Sequence, residues 1–216
     1  MSRIYRWNSQ LKPSLVGPIV NGASVHLQQS DIDGACGPHC ALMALMILGV
    51  ISRKELDDLH ESKSKPLAKL WKRTSALYFS GTTSQQLKSL LEPYAEEVVC
   101  KIVSRIKNRI EDAIETIQSD GVCIVAISNK YFSHWILAIG TGGNEGNKQA
   151  EKFLIIDPDS PTIPLLAWNG LLSVKKNRSG KHRFETINGS SIVEVDAVLS
   201  LIPCLSRLDF EIDLEN

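Results

Sequence analysis

The sequence predicts an α+β protein, on two observations. Between Cys36 and Gln118 most apolar residues fill one continuous helix or recur at helical spacing. From Val122 onward the period changes to short, strongly apolar segments rich in β-branched residues, VCIVAIS, HWILAIG and FLIIDP. A largely helical first part followed by a sheet is an α+β plan.

Taken in order, residues 1–27 carry Pro13, Gly17, Pro18 and Gly22 and read as an extended arm with a short strand at Ala23 to Leu27. The run from Ala41 to Leu48 is apolar on every side and predicts a buried helix. Ser52 and Glu55 form a capping-box pair opening a helix through about His60. Pro66 starts another, Leu67 to Tyr78, with Leu67, Leu70, Trp71 and Leu77 as its buried stripe. Thr82 to Leu91 is a capped helix that ends before Pro93, and Val98 to Val103 is a strand. Isoleucines at 106, 110, 114 and 117 mark a helix over Arg105 to Gln118, stopped by Asp120-Gly121. The three apolar segments are then strands of one antiparallel sheet, with Thr141 to Gln149 as a link and further strands at Arg183 to Ile187 and Ser191 to Val195. Residues 28–205 thus form one domain, and residues 206–216 an acidic, frayed tail.

Composition narrows the function classes. With 216 residues, 43% apolar and 22% charged, the chain has the make-up of a globular domain with a sizeable core. Lysine plus arginine equals aspartate plus glutamate, 24 each, so nothing in the charge favours nucleic acid or an anionic membrane as partner. No stretch has signal-peptide or membrane-span length, and five cysteines without framework spacing fit a reducing compartment. The expectation is a protein cytoplasmic where it is made, with signal-independent export left open.

Chemistry centres on the stretch Gln28 to Gly49, QQSDIDGACGPHCALMALMILG. Pro38 suits the first turn of a helix, which places Cys36 at the helix N-terminus, against unpaired N–H groups and the positive end of the helix dipole. Positions of this kind favour the thiolate, the nucleophilic form of cysteine. Alone, such a cysteine is better read as a buried structural residue. His134 opens a strand after the loop Asn129 to Ser133, where an imidazole can stand at a sheet edge and serve as general base. Asp157 ends the next strand in an Asp-Pro pair, a common turn device, yet two antiparallel neighbours can bring it to His134. Cys36-x3-Cys40 with His39 offers metal ligands but lacks a second pair at suitable spacing, and no cofactor or metal is expected. Cys40, Cys100, Cys123 and Cys204 read as core, and His26, His60 and His182 have no supporting motif.

Together these motifs resemble the papain-like cysteine peptidases, in particular the bacteriocin-processing branch that cuts after double-glycine leaders. The likeness covers roughly Gln28 to Gly170 and comprises a glutamine, a polar spacer, Cys-Gly and a buried helix, then His134-Trp135 with a strand ending in glycine, then Asp157-Pro158. It implies a papain-like fold, a helical part carrying the nucleophile helix packed on an antiparallel sheet. It also implies a Cys36, His134, Asp157 triad that hydrolyses an amide through a thioester. The family's oxyanion-hole glutamine lies six residues before the cysteine; Gln29 lies seven before and Gln28 eight, and Gln29 is favoured. The implied partner is a protein or peptide substrate, cut after a small residue with Gly-Gly preferred. Leader processing, defence and toxin roles remain alternatives, as do a transglutaminase-like or deamidating acyl-transfer enzyme and a catalytically silent binding module. Oligomeric state is not legible.

Overall fold

In the computed structural model, residues 3–30, 33–103, 105–144 and 149–204 are described. Four short strands, β1 (Arg3–Trp7), β2 (Lys12–Ser14), β3 (Gly17–Val20) and β4 (Ala23–Ser24), precede the helices. These are α1 (Cys36–Ile47), α2 (Arg53–Asp57), α3 (Lys65–Leu77), α4 (Ser84–Leu91) and, after strand β5 (Val98–Ile102), α5 (Arg109–Gln118). The remaining strands are β6 (Val122–Ser128), β7 (Ser133–Asn144), β8 (Lys152–Ile156), β9 (Gly170–Ser173), β10 (His182–Thr186) and β11 (Gly189–Pro203).

The expected helical part packed on an open antiparallel sheet, and with it the papain-like α+β plan, is overturned. Strands follow one another in the order β7, β6, β11, β10, β9, β8, and β8 pairs back onto β7, so six antiparallel strands close into a barrel. Helix makes up only 29% of the described residues, and sheet dominates. The physical reason lies in the lengths of β7 and β11. β7 runs on through the stretch expected to be a link, pairing with β6 along its first half and with β1 along its second, while β8 takes its other edge. β11 is long enough to join β10 at its start to β6 and then β5 further on. With both long strands paired along two edges, the six strands close on one another, and only short lengths of edge, such as the start of β11 on the β6 side, remain unpaired.

Alternation along the strands separates two cores. Cys123, Val125 and Ile127 of β6, Ile136 and Ala138 of β7, Phe153 and Ile155 of β8, and Leu172, Phe184 and Val193 fill the barrel. Val122, Ile124, Trp135, Leu137, Leu154 and Ile156 face outward onto α1, all twelve residues of which are buried. β6, β7 and β8 are covered on both faces, which is why their sequences read as unbroken apolar runs. Gly140 marks the point where β1 joins. An added Cβ there would lie 2.8 Å from the Trp7 Cα, so only glycine lets the two backbones approach.

Most local expectations hold. Ser52 with Glu55 and Thr83 with Gln86 both form complete capping boxes. In α3, Leu67 and Leu70 are buried as expected, with Thr74 as third member, but Trp71 is exposed. The arm expected over residues 1–27 holds four strands instead of one. The strand β9 was unexpected, and β10 begins one residue early. Cys40 and Cys123 are core, while Cys100 and Cys204 are half-buried. The acidic tail expected over 206–216 lies outside the described residues. No helix among the described residues is long and apolar enough to cross a membrane.

Candidate active site

Two elements deliver the site from opposite sides. α1 begins at Cys36, where geometry leaves the first backbone N–H groups without intrahelical acceptors, and its first turn contains no acidic side chain to compete for them. The turn before it is held by the Ala35 N–H donating to Asp33 Oδ1 at 3.0 Å. Tyr78 to Thr82, after α3, straps this tip: the Gly34 N–H donates to the Tyr78 carbonyl at 2.8 Å. A Cβ on Gly37 would sit 3.0 Å from the Thr82 Cβ, so the glycine that follows Cys36 lets the strap close. Trp135 Nε1 donates to the Thr82 carbonyl at 2.8 Å and ties the strap to the strand bearing His134.

Antiparallel closure brings the barrel's contributions to one mouth. His134 is at the start of β7, and Asp157 directly follows β8. His134 Nε2 donates to Asp157 Oδ1 at 2.7 Å, with the two side chains 13% and 3% exposed. Cys36 is within hydrogen-bonding reach of the same ring. Since Nε2 is engaged by Asp157, Nδ1 is the nitrogen left for the thiol. Burial by itself would lower the imidazole's pKa, but the hydrogen bonds and charges of Asp157 and Cys36 overcome it and raise it to about 10. Burial likewise disfavours the Asp157 carboxylate, yet His134, the Asp159 N–H and the Ser160 hydroxyl hold its pKa below the usual value. The pair is therefore built to keep an imidazolium beside the thiol.

A shell that the sequence reading missed holds Asp157. Ser160 Oγ donates to Asp157 Oδ2 at 2.8 Å, and the Asp159 N–H donates to Oδ1 at 3.0 Å. Buried Asn169 accepts the Asp157 N–H at 2.7 Å and donates to the carbonyls of Asp157 and Ser160 at 2.9 and 2.8 Å. His26 Nε2 stands 3.1 Å from the Asp157 carbonyl, and burial lowers its pKa. The segment DPDS carries the signal of such a turn. Asn169 and His26 carry none, because their partners lie far away in sequence.

Gln29 lines a cavity of about 340 Å³ at the barrel mouth, together with His134, Asp157, Ser160 and Phe184. Its backbone N–H donates to the Pro158 carbonyl at 2.8 Å, and its Nε2 donates to the Asp33 carbonyl at 2.8 Å. A primary amide has two N–H groups, so one remains for another acceptor. Gln28 is exposed and lines no part of this cavity. A larger cavity of about 680 Å³, between β1, the end of α5 and the second half of β7, includes none of the site residues.

Cys40 faces inward, its Sγ donating to the Trp135 carbonyl at 3.4 Å, and burial raises its pKa well above the usual value. His39 is buried against the Tyr78 hydroxyl at 2.9 Å, and burial lowers its pKa. His60 pairs with Glu61 on the surface, and His182 bonds the Ser173 carbonyl within the sheet. Among the described residues no group of three or more histidine, cysteine or acidic side chains could hold a metal ion. His134 and Asp157 are thus joined, Cys36 acts on the same ring, and Gln29 lines the cavity with His134 and Asp157. No protein-family model matches the chain and no curated protein matches it, so the site is read from its own geometry.

Proposed function

We propose that the protein is a cysteine peptidase, with Cys36 as nucleophile, His134 as general acid and base, and Asp157 orienting the imidazole. The observation that carries this reading is the 2.7 Å bond from His134 Nε2 to buried Asp157, with Cys36 within reach of the same ring. The Cys36 sulfur attacks the acyl carbon of an amide, and the carbonyl electrons move onto oxygen. The Cys36 N–H and the spare Gln29 N–H supply donors for that oxyanion. His134 gives its proton to the departing amine as the C–N bond breaks, leaving a thioester. Water, deprotonated by His134, then releases the acid and restores the thiol. The likeness to bacteriocin-processing peptidases is confined to these motif residues, and it supports a small residue, with Gly-Gly preferred, before the cut.

Iodoacetamide labelling followed by mass spectrometry tests the nucleophile. At mildly acidic pH, Cys36 is expected to react fastest of the five cysteines, and His134→Ala to slow it. Equal labelling of all five in the folded protein would remove the assignment. A proteome incubated with wild type or with Cys36→Ala tests the reaction: new peptide N-termini are expected only with wild type. Conversion of glutamine to glutamate without new termini would instead assign a deamidase.

A further inference from the structure

Resting on the peptidase reading, we infer that the segment beyond the cut docks as an added strand on the free edge of β11, Gly189 to Ile192. The course of the substrate follows from the site. The acyl carbon lies at the Cys36 sulfur, and the leaving nitrogen lies at His134, which protonates it. The cavity at the barrel mouth is lined by His134, the group that would protonate the leaving nitrogen, and we take it as the leaving side. Its opposite wall is the start of β11, Gly189 to Ser191.

That wall is half a sheet. β10 and β11 are joined by the two-residue turn Ile187-Asn188, flanked by the pair Thr186 and Gly189. Such a turn closes on a hydrogen-bonded pair, and bonding then alternates along the strand. The N–H and C=O groups of Ser190 and Ile192 accordingly point away from β10. On that side β6 first pairs with β11 at Glu194, and no described strand lies beyond it. The β6 to β7 turn borders the gap, Phe132 and Ser133 lining the cavity with Gly189 to Ser191, but its polar groups bond within the turn: the Asn129 N–H donates to the Phe132 carbonyl, and Asn129 Oδ1 accepts the N–H groups of Tyr131 and Phe132.

The surroundings suit an apolar extended peptide. Ile187, in the β10 to β11 turn, and Ile192, on the length of β11 that β6 leaves unpaired, are 64% and 43% exposed, and Phe132 of the β6 to β7 turn is 36% exposed at the cavity. Period-two side chains of a docked strand would alternate between that rim and the cavity, where Ser160, Thr186, Asn188 and Ser191 surround the buried ring of Phe184. A free strand edge beside a catalytic histidine is the arrangement by which main-chain bonds supply affinity and alternate pockets supply selectivity.

The test uses a synthetic pool of random decapeptides, with cut sites read by mass spectrometry. The best-cut peptide is resynthesised with a single N-methyl group at the second, third or fourth residue after the cut. Alternate positions are expected to lose about 3- to 10-fold in kcat/KM, the neighbouring ones little, the period-two mark of a strand. Ser190→Pro, which removes an outward N–H at an edge position, is expected to slow cleavage while leaving iodoacetamide labelling of Cys36 unchanged. Normal cleavage by that variant together with equal tolerance of all three methyl groups would overturn the edge but leave the peptidase standing. No cutting by wild type would overturn both. A dimer in solution that Ser190→Pro dissociates would assign the edge to a second copy of the chain.

Discussion

At the scale of single residues, the site depends on one imidazole with an engaged nitrogen on each side. Cys36 is among the causes that raise His134, so Cys36→Ala is expected to bring its pKa down from about 10, while Asp157 keeps it above the value burial alone would set. An NMR titration of the imidazole in both proteins measures this, and identical curves would show that the thiol does not act on the ring. The glutamines separate by position. Gln29 lines the cavity and Gln28 is exposed, so Gln29→Ala should lower turnover by about 10²- to 10³-fold with little effect on KM, and Gln28→Ala much less. The opposite ranking would move the oxyanion donor to Gln28. His134 and Asp157 were legible because each occupies a strand end flagged by its neighbours in sequence. Asn169 was not, since a lone asparagine before a short strand gives no hint that Asp157 and Ser160 will surround it.

At the scale of elements, local signals decided where helices begin and remote ones decided where strands stop. Ser52, Thr83 and Pro66 act within one turn of themselves, so three helix starts were read to within about two residues. Strand lengths depended on partners. Nothing between Thr141 and Asn144 marks a strand, yet β7 continues there because β1 lies alongside, with Trp7 opposite Gly140. Gly140→Ala would drive a methyl group into that backbone contact. It is expected to cost about 2 kcal/mol or more, read in urea unfolding, with β1 the first segment to lose amide-exchange protection. Unchanged stability would mean that β1 is not needed to seal the second half of β7.

At the scale of the molecule, Cys36 and the His134–Asp157 pair belong to different layers, the helix outside the barrel and the strand ends at its mouth. Stability should therefore carry the signature of the His134 and Asp157 pair. His134, raised from 6.5 to about 10, stabilises fully below about pH 6.5, and that contribution fades as pH climbs through about 10. Asp157, lowered from 3.8, stabilises above that value and loses its contribution as pH falls through the folded-state pKa. Both are present together between about pH 4 and 6.5. The difference in Tm between wild type and His134→Ala is expected to be largest in that interval and to shrink toward pH 10. A difference independent of pH would mean that the histidine contributes packing and no charge.

Sequence by itself determined what depends on near neighbours: the helix that mounts Cys36, the caps, the apolar strands, and the order of Cys36, His134 and Asp157 along the chain. Tertiary structure alone decided that the sheet closes, that Asn169 and His26 stand behind Asp157, and that Gln29, not Gln28, faces the cavity. The physical reason is range. Capping and helical periodicity act over three or four residues, whereas barrel closure joins β8 to β7 and β11 to β6, β10 and β5 through pairings that no local pattern encodes.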